Sequence, residues 1–175
     1  MNFDYFKRIQ SRRSFLQGSA GGVGTIALWH LMALDGLTAS ASEGLPEVNP
    51  QEVAEARIVA NPGCYPTGVI LSLLPLARAG LVDAARPIVV NAASGVTGAG
   101  RSPKRELLFA EVAGDFRSYG LGNDHRHLPE MRATLPGLQL LFVPHLLPVA
   151  RGIMETIALP VAPGVDAARV KAVWQ

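Results

Sequence analysis

Apolar and polar positions fall into short blocks with two different periods, separated by turn residues. Arg57-Ile58-Val59-Ala60 is an apolar run closed by Asn61-Pro62-Gly63, which predicts a buried strand stopping at a tight turn. Beyond it Pro66 suits a first helical turn, Val69, Ile70, Leu73, Leu74, Leu76 and Ala77 form a broad apolar face, and Gly80 supplies a stop. Strands are predicted at Pro87-Ile88-Val89-Val90-Asn91-Ala92 and at Leu138-Gln139-Leu140-Leu141-Phe142-Val143, and Ile153, Glu155, Ile157 and Leu159 alternate as a further one. Glu106, Leu107, Leu108, Phe109 and Val112 predict a helix, and residues 166–174 a final one. The folded body begins near Ala56.

The chain ahead of that body has a different character. Residues 43–55 are polar and punctuated by Pro46 and Pro50, as in an exposed linker. Within residues 1–42, Ser11-Arg12-Arg13-Ser14-Phe15-Leu16-Gln17 precedes an uncharged run of small and apolar residues over 18–34, and Ala39-Ser40-Ala41 offers a small-residue cleavage site. This segment resembles a bacterial twin-arginine export signal, as found on a family of exported bacterial proteins of unknown function. An amphipathic first helix packed on the domain is the alternative, which the Gly21-Gly22-Val23-Gly24 cluster opposes because glycine is poor helix material. No strand precedes those glycines, so they do not read as a nucleotide loop.

Composition narrows the classes. The 175 residues are 49% hydrophobic and 17% charged, enough apolar surface for a core and against intrinsic disorder. Sixteen Lys and Arg against fourteen Asp and Glu leave a formal charge of +2, too small an excess to imply a nucleic-acid partner. No stretch reaches the roughly 20 uncharged apolar residues that a spanning helix needs. Cys64 is the single cysteine, which rules out an intrachain disulfide and any multi-cysteine zinc site.

Candidate chemistry gathers at four places. Cys64 falls at the start of the predicted helix, where unpaired N–H groups and the positive dipole end favour thiolate over thiol and make sulfur a usable nucleophile; as plain structure it is a small buried hydrophobe. The Gly-rich run Ser94-Gly95-Val96-Thr97-Gly98-Ala99-Gly100-Arg101-Ser102 follows a strand and is suited to present N–H groups to an anion, with Arg101 as a bidentate fork. Gly95 to Ser102 also has the spacing of a phosphate-binding P-loop, but Arg101 stands where that motif needs lysine, Pro103 disturbs the helix start, and the later strand lacks a terminal aspartate for magnesium. Tyr119, His125, Arg126, His127, Pro129 and Glu130 form the densest polar cluster, with a base and an orienting carboxylate three residues apart. His145 and Arg151 are two further ligand candidates. No metal site is expected, because only His145 or Cys64 is available to complete a ligand set.

In order, Ala60-Asn61-Pro62-Gly63-Cys64-Tyr65-Pro66-Thr67, Ser94-Gly95-Val96-Thr97-Gly98-Ala99-Gly100-Arg101, Tyr119 with His125-Arg126-His127-Leu128-Pro129-Glu130, and Pro144-His145-Leu146-Leu147-Pro148 with Arg151-Gly152 resemble the motifs of the N-acetyl-gamma-glutamyl-phosphate reductase family. The resemblance covers residues 47 to 175. It implies an α+β fold, a mixed sheet with helices as in the semialdehyde dehydrogenase catalytic and dimerisation domain, over residues 56–175. It also implies NADPH-dependent reduction of N-acetylglutamyl 5-phosphate to the semialdehyde in arginine biosynthesis, through a thioester on cysteine. Cys64 is then the nucleophile, His127 the acid-base group supported by Glu130, and Tyr119 and Arg101 line the site. Asn61, Gly98, His125, His145 and Arg151 would contact the substrate, and His127 is preferred to His145 because a carboxylate lies within one helical turn of it.

The resemblance departs from the family in one respect: no strand with a Gly-rich turn and helix precedes Cys64, so the family's N-terminal Rossmann domain is absent, and so is its C-terminal return segment. NADP-binding residues are therefore unassigned, and impaired activity is expected of the domain alone. A homo-oligomer and a separate nucleotide-binding half are the expected partners. The family implies a cytoplasmic location, whereas the leader implies export. An exported, non-catalytic module that binds anions or associates through its apolar surface is the rival from another class.

Overall fold

In the computed structural model, which describes residues 41–43, 45–56, 58–100 and 104–174, the chain divides into two units, Met1–Gly63 and Cys64–Gln175. Residues 1–40, most of the predicted leader, lie outside the described residues.

In the first unit, β1 (Ala41–Glu43) pairs in parallel with β2 (Ile58–Ala60), with Ala41 opposite Ile58. Between them α1 (Pro50–Glu55) starts on a proline, whose missing N–H is no loss in a first helical turn. The stretch read as a linker thus holds a short, mostly exposed helix. β2 forms as expected but is not buried: Val59 is 44% exposed, since two three-residue strands make no sheet broad enough to cover it.

The second unit opens with α2 (Cys64–Arg78), which buries Tyr65, Pro66, Val69, Ile70, Leu73 and Leu76, the stripe its period predicts. Gly80 ends it at φ +67°, while Gly80 N–H donates to Ala77 O and Leu81 N–H to Leu76 O, each at 3.0 Å. That pair of bonds is a Schellman cap, closed by the buried Leu81.

Four strands follow: β3 (Ile88–Gly95), β4 (Arg117–Ser118), β5 (Leu140–Leu147) and β6 (Ile153–Ala158), in the spatial order β4-β5-β3-β6. β3 and β5 run parallel, with Ile88 opposite Leu140 and Gly95 opposite Leu147; the outer pairs are antiparallel, so the sheet is mixed. β5 runs four residues past the predicted end at Val143. Pro144, a usual strand breaker, is accommodated beside the two-residue β4, and its carbonyl accepts from Tyr119 N–H at 3.0 Å.

The helix predicted from Glu106 is absent as one element. The chain makes two single turns instead, Arg105–Leu107 and α3 (Phe109–Val112), with Phe109 84% exposed and Val112 buried. Four apolar residues crowded into six positions give no covered stripe along one side. α4 (Leu128–Thr134) packs beside α2, and α5 (Ala167–Ala172) is capped by the Asp166 carboxylate, which accepts from Arg169 N–H at 2.9 Å.

Strand alternation sorts the sheet into two faces. Ile88, Val90, Ala92, Ser94, Leu140, Phe142, Pro144 and Leu146 lie buried on the face that α2 covers, whereas Asn91, Leu141 and Met154 are exposed on the other. Among the described residues no helix is long and apolar enough to cross a membrane.

Candidate active site

Cys64 is the first residue of α2 and is exposed. Tyr65, the next residue, turns the other way into the core, and its hydroxyl shares a 2.8 Å hydrogen bond with the hydroxyl of Tyr119. Burial pushes the Tyr65 phenol up, against hydrogen bonds to Tyr119 and Ser94 that pull it down. Tyr119 is pushed up further, by burial first, then by its bond to Tyr65, and also by the charge of Cys64. Both phenols therefore stay protonated at neutral pH.

The loop carrying the two histidines is held to β5 by Asn123. Its Nδ2 donates to Leu140 O at 2.9 Å and its Oδ1 accepts from Phe142 N–H at 2.8 Å, and it adopts a left-handed φ of +61° that asparagine tolerates. His127 N–H donates to His125 Nδ1 at 3.1 Å, which puts the proton of a neutral His125 on Nε2. The rings of His125 and His127 meet at 4.9 Å, and Tyr65 lies edge-on to both, at 5.5 and 5.9 Å. Phe142 floors this group at 5.2 Å from both Tyr65 and His125.

Burial, followed by the charges of His125 and Arg126, lowers His127 to about 4. Burial and then Arg126 lower His125 as well. At neutral pH both imidazoles are uncharged. His127 Nδ1 is buried with no hydrogen-bond partner. A neutral ring has a lone pair free for a proton, but the burial that keeps it neutral also makes the imidazolium costly, so His127 is a weak base in this environment.

In the sequence Glu155 is one of the alternating positions of the last strand and not a site candidate. It lies on the covered face of β6 opposite Ala92, and its Oε1 is buried with no hydrogen-bond partner. Its Oε2 sits where a Cβ on Gly68 would be, and burial alone raises the carboxyl to about 7. Its charge acts on Tyr65. The signal available was a carboxylate alternating with Ile153 and Ile157.

The other predicted residues scatter. Glu130 stands half-buried in the first turn of α4. His145 points to the opposite face of the sheet from the His125–His127 pair and stacks on Phe116 at 5.2 Å, so it does not join them. Arg151 is exposed between β5 and β6. Asn61 belongs to the first unit. Arg101 lies outside the described residues.

The Gly-rich run is not an open anion cradle over its first residues: the N–H groups of Gly95, Val96 and Thr97 donate to the carbonyls of Gly152, Val149 and Ala150 at 2.9, 2.9 and 3.2 Å. A Cβ on Gly95 would meet that backbone at 2.8 Å, so the glycine serves close approach of two loops. The same bonds disfavour a P-loop. Gly98 leaves room over Ser94, whose Oγ would lie 3.1 Å from a Cβ there. Among the described residues no three metal-ligating side chains converge.

A model of the semialdehyde dehydrogenase dimerisation domain matches residues 64–175. The chain belongs to that family. This dimerisation domain has curated relatives named N-acetyl-gamma-glutamyl-phosphate reductase: one from Geobacter sp. strain M21 is 46% identical over 144 residues, covering 79% of this chain and 41% of the relative. Another, from Neisseria meningitidis, is 44% identical over 145 residues, covering 78% and 42%. The chain thus spans about two fifths of the length of these relatives. Among solved structures, aspartate semialdehyde dehydrogenase II from Vibrio cholerae superposes with a TM-score of 0.59 at 19% identity, over 77% of this chain and 48% of that one. That likeness carries the semialdehyde dehydrogenase fold alone.

Proposed function

We propose that the domain performs the acyl-transfer half of an N-acetyl-gamma-glutamyl-phosphate reductase, the enzyme that reduces N-acetylglutamyl 5-phosphate to the semialdehyde with NADPH in arginine biosynthesis. The single observation that carries this reading is the exposed Cys64 at the start of α2, whose next residue, Tyr65, packs on an uncharged pair of histidines. The names of the curated relatives supply the substrate.

In this reading His127, the acid-base group that the family resemblance implies, takes the Cys64 proton once the anionic substrate is bound, its negative charge offsetting the burial that otherwise weakens the base. The thiolate attacks the acyl carbon, a C–S bond forms, and the bond from that carbon to the phosphate oxygen breaks, so that inorganic phosphate leaves with the electron pair. Tyr119, kept protonated, remains a hydrogen-bond donor at the edge of the site. Glu130 supports the histidine loop from the first turn of α4, and Arg101 and Arg151 are the cations available to an anionic substrate. The described residues do not fit NADP. The strand-to-helix turn at residues 61–63 leads into a cysteine instead of a glycine-rich dinucleotide loop, and Gly95, Val96 and Thr97 of the Gly-rich run spend their N–H groups on carbonyls of residues 149–152.

The exposed sheet face bearing Leu141 and Met154 is the surface on which we place a second copy of the chain, in keeping with a dimerisation domain. A cytoplasmic location accords with a biosynthetic role of this kind.

The test needs no nucleotide. Mixing the protein with N-acetylglutamyl 5-phosphate is expected to release one phosphate per chain and leave an acyl adduct on Cys64, detected by mass spectrometry. Cys64→Ser is expected to do neither. Equal phosphate release by both proteins would overturn the reading.

A further inference from the structure

Against α2, one turn along from Cys64 and on the same side of the helix, a carboxylic acid is packed where few acids are found. Glu155 Oε1 is buried without a partner, and Oε2 occupies the space that any side chain at Gly68 would need. Gly68 lies one turn beyond Cys64, so the carboxyl rests against the backbone of the helix segment that carries the sulfur. The absence of a Cβ at 68 and the presence of a long side chain at 155 are thus two halves of one contact.

We propose that Glu155 is a positioning residue for Cys64, seating the first turns of α2 through its contact with Gly68. The proposal rests on Cys64 being the reactive group. Glutamine, uncharged and of the same shape, would fill the same seat. What glutamine lacks is the proton equilibrium: the carboxyl loses its proton near pH 7, and the charge so formed acts on Tyr65 and lies one helix turn from Cys64. The titratable groups on the elements packed against β6 are Cys64, Tyr65 and, in the last turn of α2, Arg78; β3 contributes none. Ionisation of Glu155 therefore places a negative charge near a second group that must itself become negative, and opposes it.

The full chain is alkylated with iodoacetamide between pH 5.5 and 9, following Cys64 modification by mass spectrometry. In wild type the rate is expected to rise less steeply above pH 7 than a single thiol ionisation requires. In Glu155→Gln that shallowing is expected to vanish, leaving rates equal to wild type at pH 6 and about threefold higher at pH 8. Gly68→Ala, which must displace the carboxyl, is expected to slow alkylation at every pH, and adding Glu155→Ala to it to restore part of the rate. Superimposable pH profiles for wild type and Glu155→Gln would overturn the proposal, as would a double variant no faster than Gly68→Ala alone. A wild-type sulfur no more reactive than glutathione would instead defeat the reading of Cys64 as a nucleophile, so the two failures are distinct.

Discussion

The two faces of the four-stranded sheet are made from alternate residues of the same strands, yet they differ in almost every physical respect. Phe142 is 1% exposed and touches Tyr65 and His125, while its neighbour Leu141 is 44% exposed. The covered face carries groups whose protonation is strongly disturbed, Tyr119, His127 and Glu155, because burial penalises a charge there. The open face carries His145 stacked on Phe116, together with Met154 at 68% exposure. One face is an interior that holds the candidate site; the other is exposed and is the surface proposed above for a second copy.

The largest effect should come from cutting into the covered face. Phe142→Ala is expected to cost about 3–5 kcal/mol of stability and to loosen the Tyr65–His125 contacts, whereas Leu141→Ala should cost under about 1 kcal/mol in the dissociated chain. Urea unfolding of the two variants measures the contrast, and equal losses would erase the distinction between the faces. On the open side Met154→Asp is expected to weaken self-association by about 2–4 kcal/mol, read by sedentimation equilibrium, while leaving Cys64 alkylation unchanged. An unaltered dimer would remove this face from the interface.

Protonation sharpens the same comparison. His127, lowered from 6.5 to about 4, contributes stability that is present above pH 6.5 and is lost as pH falls toward 4. Glu155, raised from 4.5 to about 7, contributes stability present below pH 4.5 and lost as pH rises through 7. The two slopes oppose each other between pH 4.5 and 6.5. Above pH 7 Glu155→Gln should regain about 1–2 kcal/mol relative to its own acid-limb difference from wild type, the figure being reduced for partial solvent screening of a half-buried group. Unfolding free energies of wild type and Glu155→Gln that differ by the same amount at pH 5 and pH 8 would contradict this. The smallest effect is expected for Tyr119→Phe, which breaks the 2.8 Å bond to Tyr65 but leaves that hydroxyl its Ser94 partner, at about 1 kcal/mol.

The strands and the long helix were legible because period and turn chemistry agree locally: the stripe of α2, its Gly80 stop and the alternation of Ile153, Glu155 and Ile157 need no distant information. The extension of β5 through Pro144 was not, since a proline reads as a break until its neighbouring strand is known to end beside it. The helix expected near Glu106 failed because no face of it is covered except at Val112. Within the site, the grouping of Tyr119, His125 and His127 followed from their closeness in sequence, but the roles of Tyr65, Asn123 and Glu155 did not, because each acts through a residue far away along the chain.

The amino-acid order alone therefore determined the class of fold, the cysteine at a helix start and the company of histidines, all of which rest on residues near one another in the chain. Tertiary structure decided what charge each group carries and which side of the sheet it serves. Burial and strand alternation are set by packing between segments tens of residues apart. That is why His127 and His145, both candidates in one dimension, end on opposite faces.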